Sequence, residues 1–440
     1  MPGRSRRSRS RRSEIRLELG ARPRSSRSGW PEAIDRLSWS ARHSIVAVIG
    51  LLIAIMAFAH SAAQIGLAVP AFRTLGPNFY AWSADQQRLD LAIQTPNLPK
   101  PSAAELSTHG QWLLASQPMA SQGYRSLAYA RAADGDAAKA RAAMLTAQAM
   151  TRRDALTQIW LIDNAVSRQD VVGMMQHFDY LLRTQADARG GLLNRVAVLL
   201  NVPDARRAMM PLMTRSNPWF DDLIIQASDN PQTAIGAAQF LAERGWAPGG
   251  ERLKPTYGAL LSNLVRAGRF DLLRRIYRLL PAGNPATLSS LAMNRTQFSE
   301  GYVPLTWSLA ASGDFGGLQT DVPGVGAAVE GYAQPLTRGV VAEKLVFLDS
   351  DAHQMRWRVV GRQANPGAEA LWQVDCLDGA NSRTVATSRN LFELPKDQAA
   401  SLTIGANCPI AMVRLIVAGG AGRSASSITV GDTALTRAGN

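Results

Sequence analysis

An apolar run, Ile45 to Val69, constrains this chain more than any other segment, because of what flanks it. The first 44 residues carry twelve Arg, no Lys and four acids. Twenty-five residues of helix would span roughly 37 Å, against a hydrocarbon core of about 30 Å. No polar side chain interrupts Ile45 to Ala59, and His60, Ser61 and Gln64 fall near the far end. Arg36 and Arg42 stand before the run, so the positive-inside rule would place the N-terminus in the cytoplasm. The expectation is a single-pass bacterial inner-membrane protein that touches the bilayer through 45–69, with its C-terminal bulk in the periplasm. Ser61-Ala62-Ala63 offers the rival reading, a signal-peptide cleavage site, although a basic leader this long is atypical of one. Ser10-Arg11-Arg12 hints at a twin-arginine signal but lacks the following aromatic, since Glu14 occupies that place.

The leader has too little apolar surface to offset its ordering entropy, so residues 1–44 read as a disordered basic tail. No aromatic interleaves its arginines, which argues against a nucleic-acid arm and for a topology determinant. The tail also accounts for most of the net charge of +14. Its own balance is +8, and the remaining 36 basic and 30 acidic residues leave +6.

From residue 76 to 296 the pattern is helical, and it repeats. Gly135-Asp136 and Gln169-Asp170 fall 34 residues apart, each between two apolar-periodic segments. In that register Leu127 aligns with Leu161, Ala128 with Ile162, Ala140 with Met174, Met144 with Phe178 and Ala147 with Leu181. With Tyr124 near its start and small residues at Ala128, Ala140 and Ala147, this unit resembles the tetratricopeptide repeat family. Met174 and Gln169 depart from the family pattern in the second unit. The resemblance implies an α-solenoid whose groove would present Gln122, Arg125, Tyr129, Ile159 and Asp163 to a partner protein. Further helices are expected over Asp204–Arg215, and over Pro231–Arg244 with Gly245 as cap.

Beyond residue 301 the texture changes to Gly, Val, Thr and Ser with alternating runs. Strands are expected at 306–311, 340–348, 354–361, 370–377, 401–405, 411–418 and 427–430, which makes 302–440 an antiparallel β-sandwich. Their order resembles galactose-binding-like or carbohydrate-binding jelly rolls. Alternation places Met355, Trp357 and Val359 on one face and Arg356, Arg358 and Val360 on the other. Trp372, Val374 and Cys376 share a face opposite Gln373 and Asp375. Trp357 and Trp372 are therefore expected in the core. Arg356, Arg358 and Arg362 form an outward row opposite Asp375, a candidate face for an acidic glycan. The region has 11 basic and 12 acidic residues, so no general field favours a polyanion.

The two cysteines, Cys376 and Cys408, are expected to form a disulfide. Asp349 and Asp351 read as a hairpin turn ahead of a calcium site. No phosphate-cradling loop, serine nucleophile motif or zinc motif is found, and the five His are scattered. Neither a metal nor a cofactor is expected, and no nucleic acid. The whole is a multidomain α plus β chain: a transmembrane helix, a tetratricopeptide-like α-solenoid and a jelly-roll-like β-sandwich. The leading functional expectation is a non-enzymatic membrane-anchored scaffold in envelope polysaccharide assembly or export. The alternative is a carbohydrate-active enzyme or glycan-binding protein acting through the sandwich.

Overall fold

The computed structural model describes Ser44 and residues 46–55, 81–187, 189–349 and 351–438. The chain divides into two units, Met1–Pro101 and Ser102–Asn440.

In the first unit, residues 46–55 are helical with exposed side chains. No helix among the described residues is long and apolar enough to cross a membrane. The expected transmembrane helix and single-pass inner-membrane placement are therefore corrected, and the bilayer contact is not shown. The remainder of the run, at residues 45 and 56–69, and the basic tail to residue 43 lie outside the described residues. Helix α1, Ala81–Gln94, ends where Nζ of Lys100 donates to the carbonyls of Ala92, Ile93 and Thr95 at 2.9, 3.1 and 2.9 Å. A cation on the last carbonyls satisfies acceptors that the helix itself leaves open.

The second unit begins with α2 (Ala103–Ser116), whose first turn is capped by Ser102 Oγ accepting from the Glu105 amide at 3.1 Å. Then come α3 (Ser121–Ala133), α4 (Ala137–Met150), α5 (Ala155–Ser167) and α6 (Val171–Thr184). The hairpins α3–α4 and α5–α6 share one design at a 34-residue spacing. Asp136 accepts from the Lys139 amide as Asp170 accepts from the Gly173 amide. The residue before each cap, Gly135 or Gln169, is left-handed, with φ of 81° and 58°. Ala128, Ala140, Met144 and Ala147 are buried, as are their counterparts Ile162, Met174, Phe178 and Leu181.

The series continues with α7 (Arg189–Leu199), α8 (Pro203–Met209), α9 (Phe220–Asp229), α10 (Pro231–Arg244), α11 (Lys254–Arg266) and α12 (Phe270–Tyr277). Helix α8 stops well short of the expected Arg215: Met210 keeps helical dihedrals, but Pro211 has no N–H with which to extend the hydrogen-bond ladder. Helix α10 runs as expected to its left-handed cap Gly245.

The sandwich comprises β1 (Ser308–Leu309), β2 (Phe315–Val322), β3 (Gly326–Ala333), β4 (Arg338–Phe347), β5 (His353–Gln363), β6 (Glu369–Asp378), β7 (Asn381–Thr387), β8 (Ala399–Ile404), β9 (Ile410–Ala418) and β10 (Ser426–Arg437). One antiparallel sheet has the order β1-β4-β9-β6-β7, the other β2-β3-β10-β5-β8. Between them lie Trp307, Trp357 and Trp372, with Trp372 5.9 Å from the first ring and 6.4 Å from the second. Leu291, Met293 and short helix α13 (Arg295–Ser299) precede the first strand, yet the first two already belong to this core. The outer face of the first sheet carries Leu345, Phe347, Leu377 and Met412 into the helical core.

Candidate functional site

Strand alternation assigns the outer face of the second sheet. Val329, Val430 and Val359 pair across β3, β10 and β5 and face the core. The intervening residues must point outward. Gly316, Tyr332, Ser427 and Gln363 form one outer row, and Leu318, Glu330, Thr429 and Gly361 the next. Arg358 follows beside Gly431, then Arg356 opposite Ser401, then Gln354 between Thr403 and Thr436.

Tyr332 is the aromatic of this face. Its half-buried ring rests against Gly316, where an added Cβ would come within 2.9 Å of Cζ. Only glycine leaves room for the ring to lie there. Its hydroxyl donates to the Ser312 carbonyl at 3.0 Å, which fixes the ring across the strands. Leu318, 57% exposed, stands one row away. A half-exposed ring, an exposed leucine and hydroxyl, amide and carboxylate side chains therefore share one surface. Such a surface can bind a ligand that is apolar on its faces and polar on its edges.

The arginine row is only partly as expected. Arg356 is exposed and donates through Nε and Nη2 to Gln354 Oε1 at 3.1 and 3.0 Å. Arg358 pairs with Asp432 at 3.0 Å. Arg362 leaves the row: a register shift between β5 and β10 turns it to the carbonyls of Phe392 and Leu394. Asp375 does not oppose them, for it lies on the other sheet. There, buried, it accepts from Arg414, Gln373 and Thr384. Tyr332 escaped the sequence reading because its strand, Gly-Ala-Ala-Val-Glu-Gly-Tyr-Ala, shows little alternation of apolar and polar residues. The facing Gly316-Gly317 pair was the available signal.

The expected helical groove is not one surface of free side chains. Arg125 is buried and ion-paired with Asp154, which also accepts from Thr157 at 2.9 Å. Tyr129 packs on the small core of Ala128, Met144 and Leu161. Gln122 is half-buried, and Ile159 and Asp163 are exposed. Nearby, burial lowers the pKa of His177, whose Nδ1 lies 2.9 Å from Gln158 Oε1.

On the core face of β4, Lys344 is fully buried and donates to Gln297. Burial pushes its amine down to about 7. Cys376 and Cys408 are joined as expected, tying β6 to the segment before β9. Asp349 and Asp351 both pair with Arg437, and Asp349 lies 3.1 Å from His353, so the turn is held by protein side chains. No group of three or more metal-ligating side chains occurs among the described residues.

Several solved structures are similar to part of the chain. One is the carbohydrate-binding module TmCBM61, in complex with β-1,4-galactotriose: 15% identity, TM-score 0.21, covering 30% of this chain and 88% of that one. A second belongs to a study of carbohydrate-binding modules of the β-sandwich superfamily: 10% identity, TM-score 0.24, covering 30% of this chain and 57% of that one. A third holds the CBM22-1 and GH10 modules of Clostridium thermocellum xylanase 10B with xylohexaose: 14% identity, TM-score 0.21, covering 30% and 26%. Likeness at these scores carries no weight for ligand or activity, and the sandwich assignment rests on the strand order above. No family model matches the chain, and no curated protein matches it. The tetratricopeptide resemblance thus stays one of spacing and turn chemistry, and membership of that family is not shown.

Proposed function

We propose that the chain binds a glycan, without cleaving it, on the outer face of the second sheet. The observation that carries this reading is the Tyr332 ring, held over Gly316 beside Ser427, Gln363, Thr429 and Glu330. Sugars present C–H faces that pack on an aromatic ring, while their hydroxyls meet hydrogen-bonding side chains. The first sheet is a poorer candidate, since part of its outer face is taken up by the helical core. Arg356 adds a cation with no carboxylate partner among the described residues. It would favour a glycan bearing acid groups over a neutral one.

Affinity electrophoresis of the full-length chain through gels cast with neutral or uronate-containing polysaccharides tests this. Retardation is expected in at least one gel. Tyr332→Ala should weaken it on the order of tenfold. Arg356→Gln should weaken only the acidic-gel interaction. No retardation in any gel, or retardation untouched by Tyr332→Ala in a folded variant, would refute the site. Release of reducing ends from a retained polysaccharide would refute the non-catalytic half of the reading.

A further inference from the structure

We propose a second site, distinct from the sheet face: Arg274, Arg275 and Arg278 on α12 and the turn after it bind a phosphate-monoester dianion. With Asp271 and Leu279 they line an open hollow of about 430 Å³. All three arginines are exposed. Arg274 lies over the Phe347 ring, 5.0 Å from its centroid, and Arg275 donates to the Ala242 carbonyl of α10 at 3.0 Å. These contacts fix two guanidinium planes and leave donors on each unused. No carboxylate pairs with any of the three among the described residues, and Asp271 has its own partner in Arg269 at 3.7 Å.

Charge selects the class of ligand. Three guanidinium groups and one carboxylate leave +2 around the hollow. That balance suits a dianion better than a monoanionic carboxylate, and guanidinium forks match the oxygens of phosphate and sulfate. Cations in a last helical turn also complement the helix dipole. That effect falls off within the turn and needs one charge, not three around a common space. The hollow contains a single apolar side chain, Leu279, so it is built for a soluble ester rather than a bilayer surface.

Equilibrium dialysis of the full-length chain with radiolabelled inorganic phosphate at constant ionic strength tests the site. One phosphate per chain should be retained, displaced by sulfate but not by equimolar acetate. Arg278→Gln should weaken retention at least about tenfold, and Arg278→Lys should restore part of it. The Arg278 side chain makes no hydrogen bond among the described residues, so the variant is expected to fold. Should circular dichroism show otherwise, Arg274→Gln reads the same loss. Retention no greater than in a chloride blank, equal competition by acetate, or unchanged retention in both glutamine variants would overturn the proposal. These outcomes are independent of Tyr332, so the glycan reading can fail while this one stands.

Discussion

The amine of Lys344 is buried on the core face of β4, where its cross-strand neighbour is Val413 and Gln297 is its hydrogen-bond partner. Its native pKa is near 7, against 10.5 when unfolded. Below about pH 7 both states hold the proton, and the native state bears the full penalty of a buried charge. Between 7 and 10.5 only the unfolded state holds it, so this group's contribution makes stability rise with pH. Lys344→Met should therefore stabilise most at low pH. Urea unfolding should show its advantage over the native chain shrinking by on the order of 3 kcal/mol from pH 6 to pH 9. An advantage equal at both pH values would mean that the amine stays charged. Arg125 gives the opposite case, a buried charge with a partner. Arg125→Ala strands Asp154 and should cost about 3 kcal/mol in the same assay. A loss under about 0.5 kcal/mol would return Arg125 to the list of surface residues. Sequence placed Trp357 and Trp372 in the core correctly, because strict alternation leaves a strand residue only two faces. It said nothing of Lys344, since only the tertiary fold shows that this position is sealed, and Arg362 was misplaced because a bulge is silent in the pattern.

At the scale of elements, the paired hairpins invite a direct comparison. Gly135 and Gln169 occupy the same left-handed position, but only glycine adopts it without a Cβ clash. Gln169→Gly should stabilise by about 0.5–1 kcal/mol, and Gly135→Ala should destabilise by a similar amount, both read as shifts in urea midpoint. Opposite signs are the test; two losses would mean that the Gln169 side chain holds the turn. That repeat was legible because apolar spacing and turn chemistry coincide there. The strands β4, β5, β6, β8 and β9 were legible for a similar reason, being β-branched or aromatic runs between turn residues. Strands β2 and β3 were missed, since their glycine and alanine carry almost no alternation, and β7 opens with four polar residues in a row. With them went the outer row that holds Tyr332. The apolar run shows the converse error: its composition suggested a membrane helix, yet no helix among the described residues is long and apolar enough to cross a membrane.

Across the second unit, the sequence suggested two domains joined at about residue 300, and the buried side chains do not divide there. Leu345 and Phe347 of β4, Leu377 of β6 and Met412 of β9 belong to the same core as Leu273 and Ile276 of α12. From the other direction, Leu291 and Met293 enter the sandwich core, and the Thr433 hydroxyl on β10 donates to the Leu291 carbonyl at 2.6 Å. Sheet and helices thus each complete the other's burial, and neither can unfold without exposing surface on both. Leu345 is fully buried, and its amide also donates to the Pro304 carbonyl at 2.7 Å. Leu345→Ala should leave that backbone bond intact and remove only packing, at about 2–5 kcal/mol. Hydrogen exchange followed by mass spectrometry in rising urea reads the consequence region by region. Peptides from Lys254–Arg266 and from His353–Gln363 should lose protection together in the native chain, and both should do so at lower urea in the variant. If the sandwich peptides stay protected where the helical ones exchange freely, the shared core does not couple them. The sandwich would then be an independent module, and its glycan face would have to work without support from the helices.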